Sequence, residues 1–301
     1  MLENQIKKLI KRSYLATWSM KYRQISRSHQ SNRDTLIIYQ MGKVGSSSIK
    51  SSINDLTLDM NVYHVHALTH DRIKELEKVY KNASKVNGKA VVHSHLVESA
   101  FLRNLFDKGE KDRRWKLITL VRDPIARNFS SFFQSFNQFS PEMARKYKDG
   151  SVKMEDDIET LIQLFIERFD HEMPLRWFDS YLRPVFDIDV YSRKFPISRG
   201  YDLYDSSLAD LLLLRLEDIN SCASAAFYDF LGVDNFVLKT ANISEEKEYQ
   251  RAYRDFRKSI VLPQSYIEKM YTSKFAQHFY TPDEIEKFKE KWKTGVSIIT
   301  F

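Results

Sequence analysis

A short apolar run, Thr35-Leu36-Ile37-Ile38-Tyr39, leads directly into Gln40-Met41-Gly42-Lys43-Val44-Gly45-Ser46-Ser47-Ser48 and then into a stretch of helical character. Strand, glycine-containing turn and helix in that order mark the opening of an α/β unit. Further strand candidates are Asn61 to Ala67, Lys89 to His93, Trp115 to Val121 and Leu211 to Leu216. Between them lie helical segments at Asp71 to Tyr80, Leu96 to Phe106, Ile125 to Phe136 and Ile158 to Phe169. This alternation predicts a mostly parallel sheet flanked by helices. Everything after Glu245 reads as helical, with Thr281-Pro282-Asp283-Glu284 suited to a helix start, and Lys146 to Asp157 reads as an exposed excursion. At 301 residues and 43% hydrophobic, the chain is long enough for one large core or two small ones. A lone cysteine, Cys222, excludes an intramolecular disulfide, and no Cys/His cluster has zinc-site spacing, which suits a reducing compartment. No apolar run is long enough to span a bilayer or to serve as a signal peptide, so the cytoplasm is the expected location.

The formal charge of +7 is unevenly placed. Residues 1–33 carry Lys7, Lys8, Lys11, Arg12, Lys21, Arg23, Arg27 and Arg33 against the single acid Glu3, so the rest of the chain is neutral overall. That balance argues against a basic nucleic-acid face on the body and against nucleic acid as a partner. Within 1–33, Ile6, Ile10, Tyr14 and Trp18 recur every four residues, which predicts a basic amphipathic helix followed by a polar linker from Ser26 to Asp34. Such a segment either docks on its own domain or a partner, or lies peripherally on anionic lipid at the inner face of the membrane. The expected division is residues 1–33 as this segment and 34–301 as the α/β domain.

Two segments carry phosphate chemistry. In the first, Gly42 and Gly45 allow a tight turn that aims successive amides at one anion, the helix that follows adds partial positive charge, and Lys43 adds a full one. A Walker A loop has its lysine immediately after the last glycine; here Lys43 precedes Gly45 by two, which disfavours a nucleoside triphosphatase. In the second, the strand Leu117 to Val121 ends in Arg122-Asp123-Pro124, and Ser130 follows eight residues after Arg122 on the next helix. Arg122 suits a forked contact with phosphate, and Ser130 a hydroxyl to the same group. Taken singly, each segment has a plainer reading: a tight turn with a solvent lysine, and an Asp123 that pairs with Arg122 or Arg127.

Taken together, in this order and separation, they resemble the sulfotransferase superfamily, whose members transfer sulfuryl from 3′-phosphoadenosine 5′-phosphosulfate (PAPS) on a P-loop-like α/β fold. The family's Lys-x-Gly-[Ser/Thr]-[Ser/Thr] core is matched by Lys43-Val44-Gly45-Ser46-Ser47, and its Arg and Ser eight residues apart by Arg122 and Ser130. The resemblance implies that Gly42, Lys43, Val44, Gly45, Ser46, Ser47 and Ser48 cradle the 5′-phosphosulfate and that Arg122 and Ser130 hold the 3′-phosphate. Ala90-Val91-Val92-His93-Ser94-His95-Leu96 is similar to the His-x-His segment of carbohydrate 2-O-sulfotransferases and, loosely, to a Lys-x-His-Leu stretch of the cytosolic enzymes. Read as a strand end, it implies His95 as general base with His93 beside it; His64 and His66 repeat the alternation one strand earlier and rank second. Later segments, Trp177-Phe178-Asp179, Phe186 to Tyr191, Gly200-Tyr201, Leu214 to Asp218 and His278-Phe279-Tyr280, resemble the bacterial capsular polysaccharide synthesis branch. Glu217-Asp218 either orients a basic residue or caps a helix, and Asn242 and Lys247 are placed to cover the nucleotide.

The implied reaction is in-line transfer from PAPS to a hydroxyl of a saccharide or polysaccharide, with no metal required. Trp177, Arg176, Arg183 and Tyr181 either stack on the acceptor sugar or fill the core. The rival readings are an ATP-dependent phosphotransferase and a catalytically inactive nucleotide-binding protein of polysaccharide assembly.

Overall fold

In the computed structural model, the described residues are 13–86, 91–109, 114–148, 150–234, 236–239 and 249–293. The strands are β1 (Asp34–Tyr39), β2 (Met60–Val65), β3 (Trp115–Val121), β4 (Tyr201–Asp205) and β5 (Ala209–Arg215). They form one sheet in the order β2-β1-β3-β5-β4, with β1 parallel to β2 and β3, β3 parallel to β5, and β4 antiparallel to β5. The helices are α1 (Tyr14–Ser28), α2 (Ser46–Asn54), α3 (His70–Val86), α4 (Ser94–Asp107), α5 (Pro124–Phe139), α6 (Pro141–Lys148) and α7 (Ile158–Arg168). They continue as α8 (Met173–Trp177), α9 (Arg183–Phe186), α10 (Ile219–Leu231), α11 (Gln250–Ser259), α12 (Gln264–Tyr271), α13 (Lys274–Phe279) and α14 (Pro282–Lys293), a π turn over Phe178–Leu182 joining α8 to α9.

The burial pattern explains the strand order. Leu36 to Tyr39 of β1 and Leu211 to Leu214 of β5 are buried on both faces, as strands covered by helices on each side must be. β2, by contrast, alternates buried and half-buried positions, the signature of an edge strand. The antiparallel β4 was not among the expected strands, because Tyr201 to Asp205 is too short and too polar to stand out. The expected strand from Lys89 to His93 is absent where it is described: residues 91–93 are non-helical chain that runs into α4, and 87–90 lie outside the described residues. Asn242, Lys247 and residues 1–12 are likewise outside them.

The described part of the basic N-terminal segment is a docked helix. Ser13 caps α1 by accepting from the Ala16 N–H at 3.3 Å. Trp18 packs on the small cluster of Ala67, Ile73, Leu76, Tyr80 and Leu96, and Tyr22 and Ile25 pack on the main core. Lys21 Nζ donates to the Val92 carbonyl at 2.6 Å, and the Tyr22 hydroxyl accepts from Asn104 at 3.0 Å. The chain between α1 and β1 is tied down as well: Asn61 accepts from the Gln30 N–H at 3.0 Å and donates to the Gln30 carbonyl at 2.8 Å.

Asp123 joins the sheet to the C-terminal helices. Its side chain, 2% exposed, accepts from the Ile125 N–H at 3.0 Å as the N-cap of α5, where Pro124 occupies the first turn. The same carboxylate accepts from the Tyr271 hydroxyl at 2.8 Å and from Trp292 Nε1 at 3.1 Å, while the Asp123 N–H donates to Glu217 at 2.8 Å. Arg215, 1% exposed, makes a parallel tie through an ion pair with Asp218 at 2.8 Å, a second with Glu284, and a 3.0 Å bond to the Phe279 carbonyl. An aromatic layer fills the space between, with Phe129 of α5 4.9 Å from Phe165 of α7 and 4.9 Å from Trp292 of α14. Asp123→Ala leaves the Tyr271 hydroxyl, the Trp292 N–H and the first-turn amide buried without an acceptor, so a loss of about 3 kcal/mol or more is expected from denaturant melts.

Candidate functional site

The sheet order reverses direction at β1, whose two parallel neighbours lie on opposite sides, and in open α/β sheets the crevice at the carboxyl ends of such strands is where ligands bind. Three groups of residues meet along this edge. The loop 40–45 leaves β1, Arg122 and Asp123 leave β3, and His64 and His66 sit at the end of β2.

The loop is held in an unusual conformation. Gly42, Lys43 and Gly45 all adopt left-handed backbone angles, with φ of 84°, 65° and 86°. Lys43 accepts the strain of a non-glycine residue there, and Gly45 has a second reason to be glycine: an added Cβ would stand 2.5 Å from Leu216 Cδ1. Two arginines from the β3–α5 junction hold the loop from one side. Arg127, 5% exposed, donates through Nη2 to the Met41 carbonyl at 2.8 Å and through Nε to the Gly42 carbonyl at 3.2 Å, and Arg122 Nη1 donates to the Lys43 carbonyl at 3.1 Å. Peptide planes here are trans, so the N–H groups of Gly42, Lys43 and Val44 point away from the arginines. The loop thereby presents amides to one side and runs straight into α2, with Gly45 as its N-cap. Burial among other cations lowers the Arg127 guanidinium to about 10, still charged at neutral pH.

Four imidazoles form a row beside this loop. Successive ring centroids are 5.2 Å apart for His64 and His66, 4.8 Å for His66 and His95, and 5.3 Å for His95 and His93. His64 Nε2 lies 3.0 Å from the Ser46 hydroxyl and 3.2 Å from Gln40 Nε2, which is also 2.7 Å from His66 Nδ1. His95 Nε2 meets the Tyr80 hydroxyl at 3.1 Å. Burial, reinforced by neighbouring imidazoles and by Lys50, lowers His64 to about 3 and His95 to about 2. Burial also lowers His66, to about 4, against the opposing pull of the nearby Gln40 carbonyl, and lowers His93, helped by the Lys21 ammonium. All four rings are neutral at pH 7. Among the described residues, no group of three or more His, Cys, Asp or Glu is placed to hold a metal ion.

The structure therefore brings most of the sequence-derived candidates to one edge. Gly42 to Ser48 form the turn and the start of α2. His93 and His95 reach the site from the N-terminus of α4, where His93 is the N-cap, and not from a strand end. The cause is local: the His93 carbonyl accepts from the Leu96 and Val97 N–H groups at 3.1 and 3.4 Å, so the chain has already turned helical. His64 and His66, ranked second from sequence, are the pair that touches the loop through Ser46 and Gln40. Ser130 is half-buried on α5, one turn beyond Arg127 and so on the same face of the helix. Asp123 pairs with neither Arg122 nor Arg127; its carboxylate is used on α5, Tyr271 and Trp292. Trp177 is fully buried in the core, and Arg176 pairs with Asp170.

Sequence reasoning missed Arg127 and Gln40. An arginine among Ile125, Ala126 and Phe129, one turn into a helix whose neighbours are all buried, was a signal for Arg127. Gln40 carried no comparable signal, since its partners are 24 and 26 residues away.

The model of the NKWYS family, putative capsular polysaccharide synthesis protein, matches residues 149–281, somewhat under half of the chain. The matched span holds α7 to α13, β4 and β5, and with them Arg215, Glu217 and Tyr271. The loop, the histidine row, Arg122, Arg127 and Ser130 lie before it. No curated protein and no solved structure matches the chain. Among the described residues no helix is long and apolar enough to cross a membrane.

Two expectations follow from this geometry. Arg127→Met leaves the Met41 and Gly42 carbonyls without donors, so amide hydrogen exchange across residues 41–46 is expected to accelerate at least tenfold, and Arg127→Lys, which lacks the fork, is not expected to restore protection. The neutral histidines also set a pH dependence. Their folded values lie below the unfolded value near 6.5, so from about pH 6.5 down to about pH 4 the unfolded chain binds protons that the folded chain refuses. Stability is expected to fall on acidification through that window, and His95→Gln to flatten the slope in denaturant midpoints measured at each pH.

Proposed function

We propose that this protein is a PAPS-dependent carbohydrate sulfotransferase of capsular or other surface polysaccharide synthesis, built on a P-loop-like fold. The observation that carries the reading is the left-handed loop of Gly42, Lys43 and Gly45, braced by Arg127 and Arg122, at the carboxyl edge of a parallel sheet and beside a row of neutral histidines. The match to the capsular polysaccharide family supplies the polysaccharide context.

On this reading, the amides of residues 43 to 47, with Ser48 on the opening turn of α2, and the Lys43 ammonium bind the 5′-phosphosulfate end of the donor. Arg122 commits one of its five donors to the Lys43 carbonyl, and the rest of its fork, with the Ser130 hydroxyl on the adjoining helix, takes the 3′-phosphate. PAPS supplies an activated sulfuryl group whose departure leaves adenosine 3′,5′-bisphosphate. Lys43 holds the charge that collects on the departing 5′-phosphate, the same electrostatic logic that governs phosphoryl transfer. His95 takes the proton of the saccharide hydroxyl, with His93 beside it. A histidine held near 2 by burial is a weak base on its own, and an adjacent polyanion favours the imidazolium and raises it towards the working range. Attraction to anionic lipid falls to Lys7, Lys8, Lys11 and Arg12, because Trp18 and Lys21 of the same segment are used on the body. The reading places the enzyme in the cytoplasm, where PAPS is the donor and a saccharide the partner.

Thermal melting with adenosine 3′,5′-bisphosphate, ATP and AMP tests the donor site. A saturable upward shift specific to the bisphosphate, lost in Arg122→Ala, is expected. Sulfate transfer from labelled PAPS to capsular polysaccharides is expected to fall by two orders of magnitude or more in Lys43→Ala. Unchanged turnover in that variant would sink the assignment. A preference for ATP would favour a phosphotransferase, and bisphosphate binding with no transfer to any glycan would favour a catalytically inactive assembly protein.

A further inference from the structure

We propose that Gln40 is a positioning residue that fixes the tautomers of His64 and His66 and thereby makes the Ser46 hydroxyl a donor to His64. One group in this cluster has no freedom of role. The Gly42 backbone N–H points at Gln40 Oε1, and a backbone amide is always a donor, so the oxygen of the Gln40 side chain must be the end that faces it. The Gln40 NH2 is then the end facing the histidines, 3.2 Å from His64 Nε2 and 2.7 Å from His66 Nδ1, and its two hydrogens match two acceptors. Both ring nitrogens must carry lone pairs. Flipping the amide would set two donors, Gln40 Nε2 and the Gly42 N–H, against each other.

The remaining protons follow. A neutral His64 that is bare at Nε2 is protonated at Nδ1, and a neutral His66 that is bare at Nδ1 is protonated at Nε2. The His66 Nδ1 contact with the Gln40 carbonyl, at 3.2 Å, is the longer of its two and yields to the 2.7 Å contact with the amide. His64 Nε2 has a single lone pair, shared between the Gln40 NH2 at 3.2 Å and Ser46 Oγ at the shorter 3.0 Å, so the Ser46 hydroxyl hydrogen points at the ring. Ser46 is 4% exposed and opens α2, and a hydroxyl hydrogen used on His64 is withdrawn from any anion in the loop. The residue then serves an anion through its backbone N–H. One glutamine so links the loop amide, the first residue of the helix and two imidazoles, and His93 and His95 remain as the pair outside its reach. The consequence for donor binding rests on the proposed PAPS site; the tautomers do not.

Long-range proton–nitrogen NMR correlations of the histidine rings in the full chain, assigned with His64→Asn and His66→Asn, read the protonated nitrogen directly. The expected result is an Nδ1–H ring at His64 and an Nε2–H ring at His66, both neutral down to pH 5. Gln40→Glu keeps an acceptor for Gly42 but offers no hydrogen to either ring, and its carboxylate favours the imidazolium, so His64 and His66 are expected to take protons from solvent more readily and to titrate at least one pH unit higher. Gln40→Met, similar in size and without a donor, is expected to leave His64 as a mixture of tautomers. An Nε2–H ring at His64 in the unaltered protein, or ring signals in Gln40→Glu identical to those of the parent, would overturn the proposal. Should either variant fail to fold, the parent spectrum alone decides. Expected tautomers together with no binding of adenosine 3′,5′-bisphosphate would leave this inference standing and remove the donor assignment instead.

Discussion

Three consecutive carbonyls, those of Met41, Gly42 and Lys43, are held by two guanidinium groups, and the arrangement of the whole carboxyl edge depends on that contact. A left-handed stretch containing a non-glycine residue is costly by itself, and it persists where its surroundings over-determine it. Here the surroundings are the β3–α5 junction, brought beside the loop because β3 pairs with β1 in register Leu36 to Lys116 through Ile38 to Ile118. The junction is itself fixed by Asp123, which caps α5 and accepts from Tyr271 and Trp292. Each layer of the structure therefore holds the next: C-terminal helices hold the junction, the junction holds the arginines, and the arginines hold the loop.

The histidine row is the complement to that cationic bracket. Burial keeps all four rings neutral, so a site already rich in Lys43, Arg122 and Arg127 gains hydrogen-bonding groups without gaining more positive charge. The N-terminal helix contributes to the same neighbourhood, since Trp18 packs on the cluster that includes Tyr80 and Leu96, and Lys21 reaches the chain that delivers His93. A basic segment whose sequence suits either docking on its own domain or contact with anionic lipid is, over its described part, a wall of this region.

The family match falls on the half of the chain that supports the site, and the loop, histidines and arginines precede it. Leu216 joins this segment to the loop: it follows Arg215, which is buried at the end of β5 and bound to Asp218, Glu284 and the Phe279 carbonyl, and it stands close against Gly45. The matched segment thus packs directly against the proposed donor loop through Leu216.

Local chemistry was legible in the residues. Apolar runs of strand length, two glycines bracketing Lys43, and Arg122-Asp123-Pro124 closing a strand each signal their conformation within a few positions, and β1, β3, β5, α2 and α5 stand where those signals lie. The sequence by itself therefore determined an α/β chain with a glycine turn and an arginine at two strand ends. Tertiary structure alone decided that these ends are neighbours, that Arg127 turns inward, that β4 runs antiparallel, and that His93 and His95 start a helix beside His64 and His66. The physical reason is separation along the chain. Contacts such as Arg127 with Met41, Trp292 with Asp123 and Gln40 with His66 span 86, 169 and 26 residues, so no window of local periodicity contains both partners.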